Sequence, residues 1–153
     1  MLQNSIIVKQ RHERFLKKVC ETAVVWGLES SEGFATSSSN GYEDSEGEPV
    51  GLICFWSERA LAKSCMKDDW SDYKLVEVSL GDFIENWCVG MSGDDLMVGT
   101  NFDSNMFGFE ADPLDVIIEL SKELNNQGKG IELQKYKLLD DLVNEIINIK
   151  SAK

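Results

Sequence analysis

His12 and Cys20 are the first pair in this chain that invites a chemical reading, a thiol nucleophile beside an imidazole base. Both fall in one expected helix, where positions 12 and 20 stand about 12 Å apart in rise, too far for a hydrogen bond. His12 is the single histidine of the chain. It therefore has no partner visible in the sequence and is expected at the surface. Asp94 and Asp95 with Asp103 form a second set, since oxygen donors from two adjacent loops are what calcium or magnesium takes. The closing bidentate Glu of a calcium loop is absent, so solvated turn carboxylates are expected there. Cys20, Cys54, Cys65 and Cys88 are dispersed without a Cys-x-x-Cys pair and read as buried thiols rather than zinc ligands. Gly90-Met-Ser-Gly-Asp-Asp and Gly128-Lys-Gly lack the strand, loop and helix context of a phosphate cradle, and their acidic neighbours repel phosphate. No catalytic residue, metal or cofactor is expected, and the chain is read as a non-enzyme.

Charge says more than any motif. The formal net charge is −12. Between residues 82 and 125 only Lys122 opposes Asp82, Glu85, Asp94, Asp95, Asp103, Glu110, Asp112, Asp115, Glu119 and Glu123. A field of one sign repels nucleic acid and anionic lipid and attracts basic proteins. The expected contact residues are Glu43, Asp44, Glu46 and Glu48 in a polar loop, or Asp94, Asp95 and Asp103 about a hairpin. Trp70 joins them. It lies between Asp68-Asp69 and Ser71-Asp72 and is expected to be partly exposed, an aromatic rimmed by carboxylates that suits a basic surface. Trp26, Trp56 and Trp87 fall in apolar strands or stripes and are expected in the core.

Helical spacing of Ile7, Phe15, Leu16 and Val19 predicts a helix over residues 5–21 with a mostly basic outer face. Strands are expected at 23–28, 33–38, 50–56, 73–78, 96–102 and 106–110, from β-branched and aromatic runs bounded by turn residues. The nearly continuous apolar run at 50–56 predicts a strand covered on both faces. Residues 37–49 are acidic and rich in turn formers, and are expected to be a mobile loop without regular structure over 39–48. Ser57 can cap a short helix. Ser79 with Asp82 opens a helix over 79–90, and Asp112-Pro-Leu-Asp opens another over 113–125. A last helix is expected over 131–149. The order predicts an α+β fold with a mostly antiparallel sheet, a single domain over 1–127 and a helical extension over 128–153 packed on or beside it.

Phe15, Val25-Trp26-Gly27-Leu28, Gly33-Phe34, Phe55-Trp56-Ser57-Glu58-Arg59-Ala60, Trp70, Tyr73, Val78 and Gly81-Asp82-Phe83-Ile84-Glu85-Asn86-Trp87 form a spaced aromatic pattern. With Val98-Gly99, Phe102-Asp103 and Glu110 it resembles, over about residues 11–124, the bacterial family called domain of unknown function 2750. That resemblance implies a small bacterial protein of unassigned activity. By analogy with other small acidic bacterial proteins, the expected function is that of an immunity protein. It would neutralise a cognate basic toxin domain, a nuclease or ADP-ribosyltransferase, by one-to-one binding over the active site. The alternative is a small cytoplasmic binding or regulatory module. No secretory signal and no apolar run of membrane-spanning length is present, so a soluble cytoplasmic location is expected.

Overall fold

The computed structural model describes residues 2–152. Helix α1 (Leu2–Thr22) buries Phe15, Leu16, Val19 and Cys20, a stripe at helical spacing that also includes His12. It stops at Ala23, whose φ of 60° places it in the left-handed region. Strand β1 (Val24–Ser30) then pairs antiparallel with β5 (Lys74–Ser79) along one edge, from Val24 opposite Ser79 to Glu29 opposite Lys74. On its other edge β2 (Gly33–Phe34) turns back antiparallel.

The chain does not stop at the end of β2. Ala35 donates its N–H to Leu28 and accepts from Cys54, and the strand passes directly into β3 (Thr36–Glu43), which pairs antiparallel with β4 (Pro49–Phe55). Ala35 is therefore the corner at which one strand leaves the first sheet for the second. Just beyond β4, Trp26 and Trp56 exchange both backbone hydrogen bonds at 2.8 Å and close the seam between the sheets. The sheet orders are β2-β1-β5 and β3-β4-β6-β7, where β6 is Met97–Thr100 and β7 is Phe109–Ala111.

The sheets are mostly antiparallel, as expected, with one correction: β4 and β6 run parallel. A parallel pair needs a long crossover, and residues 56–96 supply one through α2 (Arg59–Ser64), β5 and a helix we call α3, residues 80–93. Burial follows from the layering. Leu52, Cys54 and Trp56 enter a smaller core with Leu28, Cys65, Trp70 and Phe102, while Phe55 enters the main core with Phe15, Phe83, Ile117 and Leu120. Strand β4 is thus covered on both faces, which is why its sequence is apolar throughout.

Helix α3 starts where Ser79 accepts from the Asp82 N–H at 3.2 Å. Its middle, Phe83–Cys88, is wound as a π-helix. Phe83, Ile84 and Cys88 are buried there, and Trp87 is half-buried between Phe34 and Phe55. Helix α4 (Pro113–Asn126) is capped by Asp112, which accepts from the N–H groups of Leu114 and Asp115, and buries Val116, Ile117, Leu120 and Leu124.

Two further expectations are overturned. Residues 39–43, expected to lack regular structure, continue β3 instead. Glu110 accepts from the Ser39 hydroxyl and, at 2.9 Å, from the Asn40 N–H, and pins the outer strand to β7. The turn itself is closed by Asp44, whose side chain accepts from the N–H groups of Glu46 and Glu48. The final helix, α5 (Leu139–Ser151), begins eight residues later than the apolar pattern suggested. Residues 131–138 instead run as an irregular, bent strap, held where the Glu85 carboxylate, only 3% exposed, accepts from Gln134 N–H at 2.6 Å and Lys135 N–H at 2.5 Å. Gly81 permits the approach, since a Cβ there would lie 2.9 Å from the Glu132 carbonyl. Helix α5 then buries Leu142 and Ile146 in the main core.

Replacing Glu85 by Ala leaves the N–H groups of Gln134 and Lys135 without their carboxylate acceptor. Loss of charge-assisted bonds of this kind costs about 3 kcal/mol. Denaturant unfolding of Glu85→Ala should show that loss, and amide exchange should accelerate over residues 131–138 ahead of the sheet.

Candidate functional site

A cleft of about 770 Å³ opens where β3, β7, α4 and α5 converge. Tyr42 stands at one end and Ile149 with Lys150 at the other; Leu96, Met97, Phe109, Leu114 and Ile118 supply apolar wall. Its charged lining is Asp95, Glu110, Asp112, Asp115 and Glu119 against Lys122 and Lys150. The volume lies within the range of ligand-binding clefts, and the lining gives it a negative field.

These carboxylates are not equivalent. Glu110 holds β3, Asp112 caps α4, and Asp115 pairs with Lys150 at 2.8 Å. Glu119 is held from behind: its Oε1 lies 2.9 Å from His12 Nε2. A carboxylate oxygen only accepts, so Nε2 carries the hydrogen. The opposite ring nitrogen, Nδ1, lies 2.9 Å from Thr100 Oγ1, and the ring stacks on Phe109 with centroids 4.2 Å apart and planes 19° from parallel. His12 is thus a buried residue, 2% exposed, and the expectation of a surface histidine is corrected. The signal was available, since position 12 lies three and four residues before Phe15 and Leu16 on the buried stripe.

A hydroxyl, an imidazole and a carboxylate in line have the composition of a nucleophilic triad. Thr100 is fully buried, however, so its hydroxyl offers no open side to a substrate carbonyl. The arrangement can hold Glu119 in place.

The residues singled out in the sequence are dispersed. Asp94 and Asp95 are exposed at the end of α3, with Asp95 left-handed at φ 58°. Asp103 lies beyond the far end of β6, where it accepts from Arg11 at 3.0 Å and from the N–H groups of Asn105 and Phe107. The three do not converge. Among the described residues no group of three or more His, Cys, Asp or Glu is placed to hold a metal ion. Glu43, Asp44, Glu46 and Glu48 crowd the exposed tip of the β3–β4 hairpin, near the Tyr42 end of the cleft. Trp70 is corrected to buried, 6% exposed: the turn Asp68–Trp70 tucks its ring edge-on against Trp56, centroids 6.0 Å apart. It still lines a smaller cavity of about 430 Å³ together with Lys67, Asp68, Asp69 and Ser104.

All four thiols are buried and free. Burial pushes Cys20 up to about 12, helped by the nearby Glu123 carboxylate, and raises Cys54, Cys65 and Cys88 as well.

The model of a protein family of unknown function, DUF2750, matches residues 12–120, and the chain belongs to that family. The matched span runs from the buried His12 to Leu120 in α4 and leaves α5 outside. Neither a curated protein nor a solved structure gives a match. No helix among the described residues is long and apolar enough to cross a membrane.

Because a raised thiol pKa keeps the protonated, unreactive form dominant at pH 8, all four cysteines should resist an aromatic disulfide reagent in the native protein. They should react together once the chain is unfolded. Rapid native labelling of any one would contradict the burial.

Proposed function

We propose that this chain is an immunity-type inhibitor that binds the basic catalytic domain of a cognate antibacterial toxin one-to-one and covers its active site. The observation that supports this reading is the open cleft, carboxylate-lined and partly apolar, with the acidic hairpin tip at its mouth. Toxins that act on nucleic acid or nucleotides need positive clefts for phosphate. An acidic surface of this shape competes for such a cleft, speeds encounter and needs no catalytic group of its own. The inhibitor would act in the cytoplasm, where its target does.

Co-expression with the product of the adjacent gene, followed by pull-down, tests the assignment directly. A stoichiometric complex with a basic protein is expected. The triple variant Glu43→Lys, Glu46→Lys, Asp95→Asn changes exposed charges and should associate at least about tenfold more slowly, with an unchanged melting temperature. Added salt should slow the wild type in the same direction. If no basic partner is recovered and the variant protects cells as the wild type does, the chain passes to the alternative, a small binding or regulatory module.

A further inference from the structure

Glu119 differs from every other carboxylate of the cleft in how it is held. Glu110, Asp112 and Asp115 spend their oxygens on Asn40, the start of α4 and Lys150. The Glu119 side chain is 41% exposed, with one oxygen fixed by a buried imidazole and the other without a hydrogen-bond partner among the described residues. Lys122, one turn along α4, makes no ion pair among the described residues, and Lys150 is engaged by Asp115. Phe109, backed on one face by His12, lines the same stretch of wall, with Ile118 beside it.

We infer that this stretch is a subsite for an arginine side chain of the partner. The guanidinium donates to Glu119, in particular to the free Oε2, and lies against Phe109, while its aliphatic stem covers Ile118. A planar fork that both donates and stacks suits a carboxylate next to an aromatic ring better than an ammonium does. The His12 contact pre-orders the acceptor, so little side-chain freedom is lost on binding. His12 is a positioning residue here. The subsite rests on the partner-binding reading of the cleft and names the side chain that the cleft receives.

Titration of the intact protein with a hexa-arginine peptide, followed by amide chemical shifts in physiological salt, tests it against the hexa-citrulline peptide, equal in shape and uncharged. Arginine should shift residues 96–97 and 109–122 and bind at least about tenfold more tightly than citrulline, with hexa-lysine in between. Glu119→Gln should remove most of the arginine preference, while Glu29→Gln, on β1 and outside the cleft, should change it less than about twofold. His12→Asn should lower the arginine-to-citrulline ratio and leave citrulline binding unchanged; a purely structural role would lower both. Equal losses from Glu119→Gln and Glu29→Gln, or shifts spread over the acidic surface, would overturn the subsite. If His12→Asn fails to fold, the exposed Glu119 variant decides alone. Arginine preference without any recovered toxin removes the immunity assignment and keeps the subsite. A recovered toxin without arginine preference removes the subsite alone.

Discussion

Asn101 joins the ends of three elements, and the cleft is built outward from it. Its N–H donates to Phe55 at 3.0 Å, beyond β6 and at the end of β4. Its side-chain oxygen accepts from Ser57 N–H at 2.8 Å, and its amide nitrogen donates to the Arg11 carbonyl and the Ser57 hydroxyl. The residue is buried and left-handed, φ 49°, a conformation Asn adopts more readily than most side chains. Each of these polar groups would cost about 1–3 kcal/mol if buried without a partner. Fixing the Arg11 carbonyl beside Asn101 delivers the next residue, His12, to Thr100, and through His12 sets the position of Glu119. The wall of the cleft therefore inherits its geometry from one amide.

Much of the acidity of this chain is architectural. Glu85 holds the strap before α5, Glu110 pins β3, Asp44 and Asp103 close turns, and Asp112 caps α4, each by accepting backbone N–H bonds. A carboxylate is a strong acceptor for N–H groups that secondary structure leaves over. The surplus of negative charge thus has two components. One is spent on backbone N–H groups, and the other, Glu43, Glu46, Glu48, Asp95 and Glu119, faces solvent.

This division explains what could be read from the residues and what could not. Helix α4 was legible because Asp112-Pro-Leu-Asp contains its whole start signal locally, and Ser79 with Asp82 did the same for α3. The strands β1 and β5, though not their pairing, and the hairpin of β6 and β7 followed from alternation and turns. The continuation of β3 over 39–43 was not legible, because a polar outer strand looks like a loop until Glu110, some 70 positions away, is brought against it. For the same reason Glu85 hid the strap, and only the Trp56 and Phe102 surroundings explain why Trp70 goes inside. Of the candidate site, the acidic character was visible but its focus was not: Glu119 gained distinction only when the fold placed His12 behind it.

The parallel pairing of β4 with β6 has a kinetic consequence. Leu52 faces Met97, so that contact closes a loop holding α2, β5 and all of α3, whereas the β3–β4 hairpin closes over a five-residue turn, 44–48. Loop-closure entropy must be met before the long-range contact gives anything back. Hairpin and α1 can form early, but β6 cannot lock until the crossover has collapsed onto β4. Asn101 follows directly after β6, so the cleft wall is among the last parts to be assembled. During synthesis or after dilution from denaturant, the β3–β4 hairpin can form before the surface with which the molecule would meet a partner.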